Sequence, residues 1–183
     1  MIIAQNEDVI LRDLEEMDIF KLAEYANNKK VSVNLRDAFP SPYTVENAKE
    51  FVEMVNKQNP KTFFAIEYRG EYVGNISLSV GTDVYRNSAE IGYFIGEPFW
   101  NKGIATKAVN LMTDFGFEKL GIVRIYTGVF GFNKSSQRVL EKCGFSKEAI
   151  FKSSITKNGK IYDEIRFAKV NINAENRQTN FYS

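Results

Sequence analysis

Between Glu90 and Lys107 the chain reads E-I-G-Y-F-I-G-E-P-F-W-N-K-G-I-A-T-K, a run whose residue types suit the binding of an anion. Gly103 lets the backbone come close to a ligand and permits a sharp turn. From Ile104 onward, Ile104, Ala108, Leu111, Met112 and Phe115 fall at helical spacing. A helix start leaves its first N–H groups unpaired and carries a partial positive charge, so it attracts phosphate-like groups. Lys102 and Lys107 flank it. The other reading of such a junction is a turn built for packing alone. The run is not a Walker loop, because Ile-Ala-Thr follows Gly103 where Lys-Ser/Thr is needed. Gly96, Gly103 and Gly116 also lack the spacing of a dinucleotide fingerprint.

Other chemistries are excluded by composition. The 183 residues contain no histidine, which removes His general bases and His-based metal sites, and no metal is expected. Cys143 is the single cysteine. It rules out an internal disulfide and fits a reducing cytoplasm. Without a His partner it is not expected to act as a nucleophile. A net charge of +1 gives no general pull toward nucleic acid or a membrane surface. No apolar run is long enough to span a bilayer, and the first residues, M-I-I-A-Q-N-E-D, do not read as a signal peptide.

The elements that must position the anion site follow from periodicity. Ala89, Ile91, Tyr93 and Ile95 alternate with Glu90, Gly92, Phe94 and Gly96 as in a strand, and Pro98 ends it. Upstream, Val9–Leu14 reads as a first strand. Asp18 is placed to cap a helix carrying Ile19, Leu22, Ala23 and Ala26, and Thr44 to cap a second with Val45, Ala48, Val52 and Val55. The irregular stretch between them, with Pro40 and Pro42, has the length of a functional loop. Strands at 63–68 and 72–80 join through Arg69-Gly70-Glu71. After the central helix come a strand at 122–129, a helix from Asn133 to Lys142 ended by Gly144, and two strands around Asn158-Gly159. The order β-α-α-β-β-β-α-β-α-β-β describes an α+β domain with a mostly antiparallel sheet and packed helices. One domain over residues 1–170 is expected, with 171–183 as a polar tail, disordered or loosely docked. A homodimer is left open.

Two blocks carry a family resemblance. N-K-G-I-A-T-K-A resembles the pyrophosphate loop of the GNAT superfamily of acyl-CoA N-acyltransferases, with Trp100 standing where that loop has Gln or Arg. About thirty residues on, N-K-S-S-Q-R-V-L-E-K-C-G-F resembles the family's second block. Within the superfamily V-I-L-R-D-L-E-E-M-D, A-E-I-G-Y and N-G-K-I-Y-D look most like the RimJ/RimL branch, ribosomal-protein alanine N-acetyltransferases. The resemblance implies the GNAT fold, helices on both faces of the sheet, and acetyl transfer from acetyl-CoA to a primary amine by direct attack in a ternary complex. A protein N-terminus is the leading acceptor. A small amine such as a polyamine, amino acid or aminoglycoside, or acyl-CoA binding without turnover, are the alternatives.

The resemblance also assigns roles. Phe94 and Ile95 would offer backbone to the pantetheine arm and the thioester oxygen. Lys102, Gly103, Ile104, Ala105 and Thr106 would cradle the pyrophosphate. Asn133 can bind a pantetheine amide or cap its own helix. Many family members place a tyrosine acid where this chain has Leu140. Ser136, at the N-x-x-S position, would then protonate the leaving sulfur, or else be a small residue facing the ligand. Glu90, on the cleft face, can accept the ammonium's proton, or be an exposed carboxylate paired with a lysine. Tyr93 and Tyr126 near the cleft are alternatives to it or, as the commoner reading, packing, and Arg36 and Asp37 are acceptor contacts or solvated loop charges.

Overall fold

A computed structural model describes residues 1–171; the expectation for the tail falls almost wholly outside the described residues. One eight-stranded sheet runs through them in the order β1-β2-β3-β4-β5-β6-β8-β7. Its strands are β1 (Ile2–Gln5), β2 (Val9–Arg12), β3 (Phe63–Tyr68), β4 (Glu71–Val80), β5 (Ser88–Ile95), β6 (Arg124–Phe130), β7 (Ser146–Lys157) and β8 (Lys160–Val170). All neighbours are antiparallel except β5 and β6. The mixed, mostly antiparallel sheet expected from the sequence is therefore present.

Five helices cover it: α1 (Ile19–Ala26), α2 (Lys29–Ser32), α3 (Val45–Asn56), α4 (Ile104–Glu118) and α5 (Lys134–Lys142). Alternation along β5 sends Ala89, Ile91 and Ile95 to one face, where they pack with Ile104, Ala108 and Met112 of α4 and Leu140 of α5. Phe94 goes to the other face and packs against the cluster of α1 and α3, which contains Leu22, Tyr25, Tyr43, Ala48 and Val52. That cluster holds no residue of β6, β7 or β8, so no helix covers this face over the last three strands of the sheet. The two faces thus have different fates. One face packs α4 and α5 against the sheet, with β7 left largely exposed; on the other, the α1 and α3 cluster reaches β3, β4 and Phe94 of β5.

Two turns follow the sequence closely. Arg69-Gly70 and Asn158-Gly159 all take positive φ, the backbone of a tight hairpin turn. Thr44 caps α3 as expected, its hydroxyl accepting from the Asn47 amide at 3.2 Å. Asp18 differs. It stands at the N-cap place of α1, but its carboxylate accepts from Arg12 Nη1 and Nη2 at 2.7 and 2.8 Å. Arg12 also donates through Nε to Glu67 at 2.6 Å. A bidentate pair to a nearly buried guanidinium is stronger than an exposed cap, and Asp18 chiefly, with Glu67, holds Arg12 above its ordinary pKa. The pair pins the start of α1 to β2 and β3. Strand β1 and the single turn of α2 were not legible: each is four residues, too short to show a period.

Candidate active site

The parallel pair β5–β6 is joined only at Ser88–Glu90 with Arg124–Tyr126. Beyond Glu90, β5 stays on β4 through Ile95, while β6 stays on β8 through Phe130. A wedge therefore opens in the sheet between the ends of these two strands. Which backbone groups face it follows from the ladder. Gly81 N–H donates to the Ser88 carbonyl and Gly96 N–H to the Val73 carbonyl, both at 2.8 Å, so even-numbered residues of β5 turn their backbone to β4. Tyr93 and Ile95 turn theirs to the wedge. Ile95 is thus placed as the resemblance implies. Phe94 is not: its backbone is committed to β4, and its ring meets Phe39 at 6.2 Å between centroids. The Ile95 carbonyl accepts from Trp100 Nε1 at 2.7 Å, leaving the Ile95 amide toward the wedge. Trp100 therefore does more than replace a polar side chain. Its indole closes the strand end beside the helix start.

That start is the lip of the wedge. Gly103 is the N-cap of α4 with φ 76°, a left-handed backbone that strains any other residue type. No side chain caps the helix, and the first intrahelical bond is Lys107 N–H to the Gly103 carbonyl. The amides of Ile104, Ala105 and Thr106 donate to no described protein atom. Three N–H groups aimed out of a helix start are the donor set a diphosphate requires, so the residues present fit that group. Lys102 lies beside it with its ammonium over the Phe99 ring. Lys107 is turned away, paired with Asp8.

On the helix-covered face two hydroxyls meet. Tyr93 reaches from β5 to α5, where its hydroxyl shares a hydrogen bond with Ser136 Oγ at 2.9 Å. Burial pushes the Tyr93 phenol up to about 12, so it stays protonated at neutral pH. Tyr93, read from sequence as packing, is thus wired to the residue named as an acid. The signal was its strand parity, which sends it to the α5 side. Asn133 caps α5, its Oδ1 accepting from the Ser136 amide at 3.1 Å, and so orients Ser136. Its Nδ2 has no described partner. Cys143 is buried, and that burial raises its thiol to about 11, which suits packing rather than nucleophilic attack.

The open face carries the carboxylate. Glu90 is half-buried and paired with Arg36 of the loop between α2 and α3. The same loop is tied down by Lys157, nearly buried, whose ammonium bonds the Leu35 carbonyl at 2.8 Å and the Asp37 carboxylate. Arg36 and Asp37 are thus exposed loop charges, each with one ion-pair partner on the sheet. Between Glu90 and Phe94 the face is bare, because Gly92 has no side chain. On β6 the place that a side chain at Gly128 would take is covered by Glu164, so only the β5 edge is bare on this face. Among the described residues no group of three or more Asp, Glu, Cys or His is arranged to hold a metal ion. No helix there is long and apolar enough to cross a membrane.

A split parallel pair ended by a bare helix start, with two hydroxyls on one face and a carboxylate on the other, fits an acyl-CoA-dependent acyltransferase. The family pattern described as acetyltransferase (GNAT) domain matches residues 8–146, more than half of the chain. Spermidine N(1)-acetyltransferase of Escherichia coli K12 is 31% identical over 160 residues, covering 86% of this chain and 83% of that protein. The chain belongs to the GNAT acetyltransferase family and is an acetyl-CoA-dependent N-acetyltransferase. A GNAT-family acetyltransferase from Bacillus anthracis superposes with a TM-score of 0.79 at 27% identity, over 93% of this chain and 98% of that one. The fold is also that of RimL, the ribosomal L7/L12 α-N-protein acetyltransferase crystallised with coenzyme A. There the TM-score is 0.80 at 20% identity, again over 93% and 98% of the two chains.

Proposed function

We propose that this enzyme acetylates the terminal α-amine of a peptide or protein. Acetyl-CoA, when bound, supplies an activated acetyl carbon, which gains a bond to the amine nitrogen and loses its bond to sulfur. The α4 amides hold the diphosphate, with Lys102 beside them, and the Tyr93 and Ile95 backbone lines the arm. Ser136, backed by Tyr93, gives the departing sulfur its proton from the helix-covered face. Glu90 takes the ammonium's proton on the open face once Arg36 has been displaced from it. Base and acid stand on opposite faces of the sheet, as a direct attack through the wedge requires.

One observation favours a peptide. A shallow groove of about 200 Å³ starts at Tyr126, the register partner of Glu90, and continues past Arg124, Glu148, Phe151 and Arg166. This track suits the residues that follow a terminal amine. A small amine would leave it unused. The 31% identity to a spermidine N(1)-acetyltransferase favours the small-amine reading instead. The buried thiol of Cys143 accords with a reducing compartment, and we place the enzyme in the cytoplasm.

A thiol-release assay separates the readings. Peptides with free N-termini are expected to release CoA with a higher kcat/KM than spermidine, and peptides blocked at the N-terminus to release none. Faster turnover of spermidine overturns the peptide reading. Thermal stabilisation by acetyl-CoA without thiol release from any amine points to a binding module. In the same assay Ser136→Ala is expected to lower kcat about 100-fold, and Tyr93→Phe about 10-fold, with acetyl-CoA affinity retained. Unchanged turnover in Ser136→Ala would assign that hydroxyl to packing.

A further inference from the structure

The place that a side chain at Gly128 would fill is not empty. Glu164 occupies it, with its carboxyl carbon 2.7 Å from where a Cβ would stand. Glu164 lies opposite Phe130 in the β6–β8 ladder, so its side chain runs back along β6 to cover Gly128. The carboxylate therefore sits over the strand that borders the wedge, on the open face. It is only 13% exposed, yet no described N–H or O–H donates a hydrogen bond to it. Arg166 Nε lies 3.0 Å from Oε1, the distance of an ion pair. The N–H is not aimed at the oxygen, however, and Nε is itself buried without a hydrogen bond. The Arg166 guanidinium spreads over the Phe151 ring, 5.2 Å from its centroid.

A carboxylate taken largely out of water normally collects aligned donors. Here the oxygens keep some contact with water and have no aligned donor from the described chain, and they lie beside the place proposed for the cationic nitrogen. Across the wedge stands Glu90, held only by the exposed Arg36. Glu90 and the carboxylate over Gly128 lie on the same face of the sheet, on either side of the opening between β5 and β6.

We infer that Glu164 is a second acceptor-binding carboxylate, which with Glu90 holds the cationic nitrogen of the incoming amine over the wedge. The inference rests on the open face being the acceptor side, as proposed above. The competing role for Glu164 is an ion-pair partner that only keeps Arg166 in place. Steady-state kinetics on Glu164→Gln, on Gly128→Ala and on the double variant Glu164→Gln/Arg166→Met separates the two. Gly128→Ala moves the carboxylate without removing its charge. The expected result is an acceptor KM raised about 10-fold or more in all three, with acetyl-CoA KM and its thermal shift unchanged. Recovery of the acceptor KM in the double variant, or a wild-type KM in Glu164→Gln, overturns the inference and leaves the acetyltransferase reading standing. Absence of transfer by the wild-type chain to any amine overturns that reading, and this inference falls with it.

Discussion

Replacing Gly92 by valine is expected to stop acetyl transfer while leaving acetyl-CoA binding intact. Gly92 lies on β5 between Glu90 and Phe94, on the face proposed for the incoming amine. A Cβ there would meet only Ser77 Oγ, at 3.6 Å, an ordinary contact. Its φ is not positive, so no backbone strain opposes a side chain. Valine also suits a strand better than glycine. The fold is therefore expected to keep or slightly gain stability. What changes is the bare strip beside Gly92 on the open face, which two methyl groups would cover. The acceptor's kcat/KM is expected to fall at least about 100-fold, the size of losses seen when reacting atoms are misplaced by an ångström. Thermal stabilisation by acetyl-CoA is the control, since the cofactor is proposed to lie along the wedge rather than across it. Full activity in this variant would mean that the amine reaches the thioester from another side.

Thr106→Asp is expected to move stability and cofactor affinity in opposite directions. Thr106 is in the first turn of α4, where a carboxylate interacts favourably with the helix dipole and can accept from orphan amides. Threonine and aspartate are close in size, and the Thr106 hydroxyl makes no hydrogen bond among the described residues. Helix α4 is thus expected to form as well or better. The diphosphate, by contrast, would meet a negative charge where it now meets bare N–H groups. For charges about 5 Å apart at an effective dielectric of about 20, the repulsion is roughly 3 kcal/mol, more than 100-fold in affinity. Calorimetric titration of CoA and thermal melts of the free chain read the two effects separately. Undiminished affinity would place the diphosphate away from this helix start.

The parts of the site that the sequence revealed are those set by local rules. Gly103 before a helical period announces a bare helix start, and alternation along β5 places Glu90 and Tyr93 on opposite faces. Asn133 and Thr44 cap because their amide and hydroxyl oxygens reach amides three residues on. What stayed hidden depends on long-range register. The Tyr93–Ser136 hydrogen bond spans 43 residues, and Glu164 over Gly128 requires the β6–β8 pairing to be known. The misplacement of Phe94 has the same origin: which side of a strand its amides face depends on the partner strand, not on the side-chain pattern. Trp100 was legible only as a departure, because its bond to the Ile95 carbonyl depends on how the loop folds back. Strand β1 pairs with β2 at the sheet edge, and four residues cannot show such a partnership in advance.

Residue-resolved amide hydrogen exchange with and without CoA tests the cofactor site most directly. Saturating CoA is expected to slow exchange at Ile104, Ala105 and Thr106, and at Tyr93 and Ile95 along the wedge. Bound CoA that leaves all five amides exchanging at their free rates, with protection appearing elsewhere in the sheet, would contradict the placement of the cofactor and the mechanism built on it.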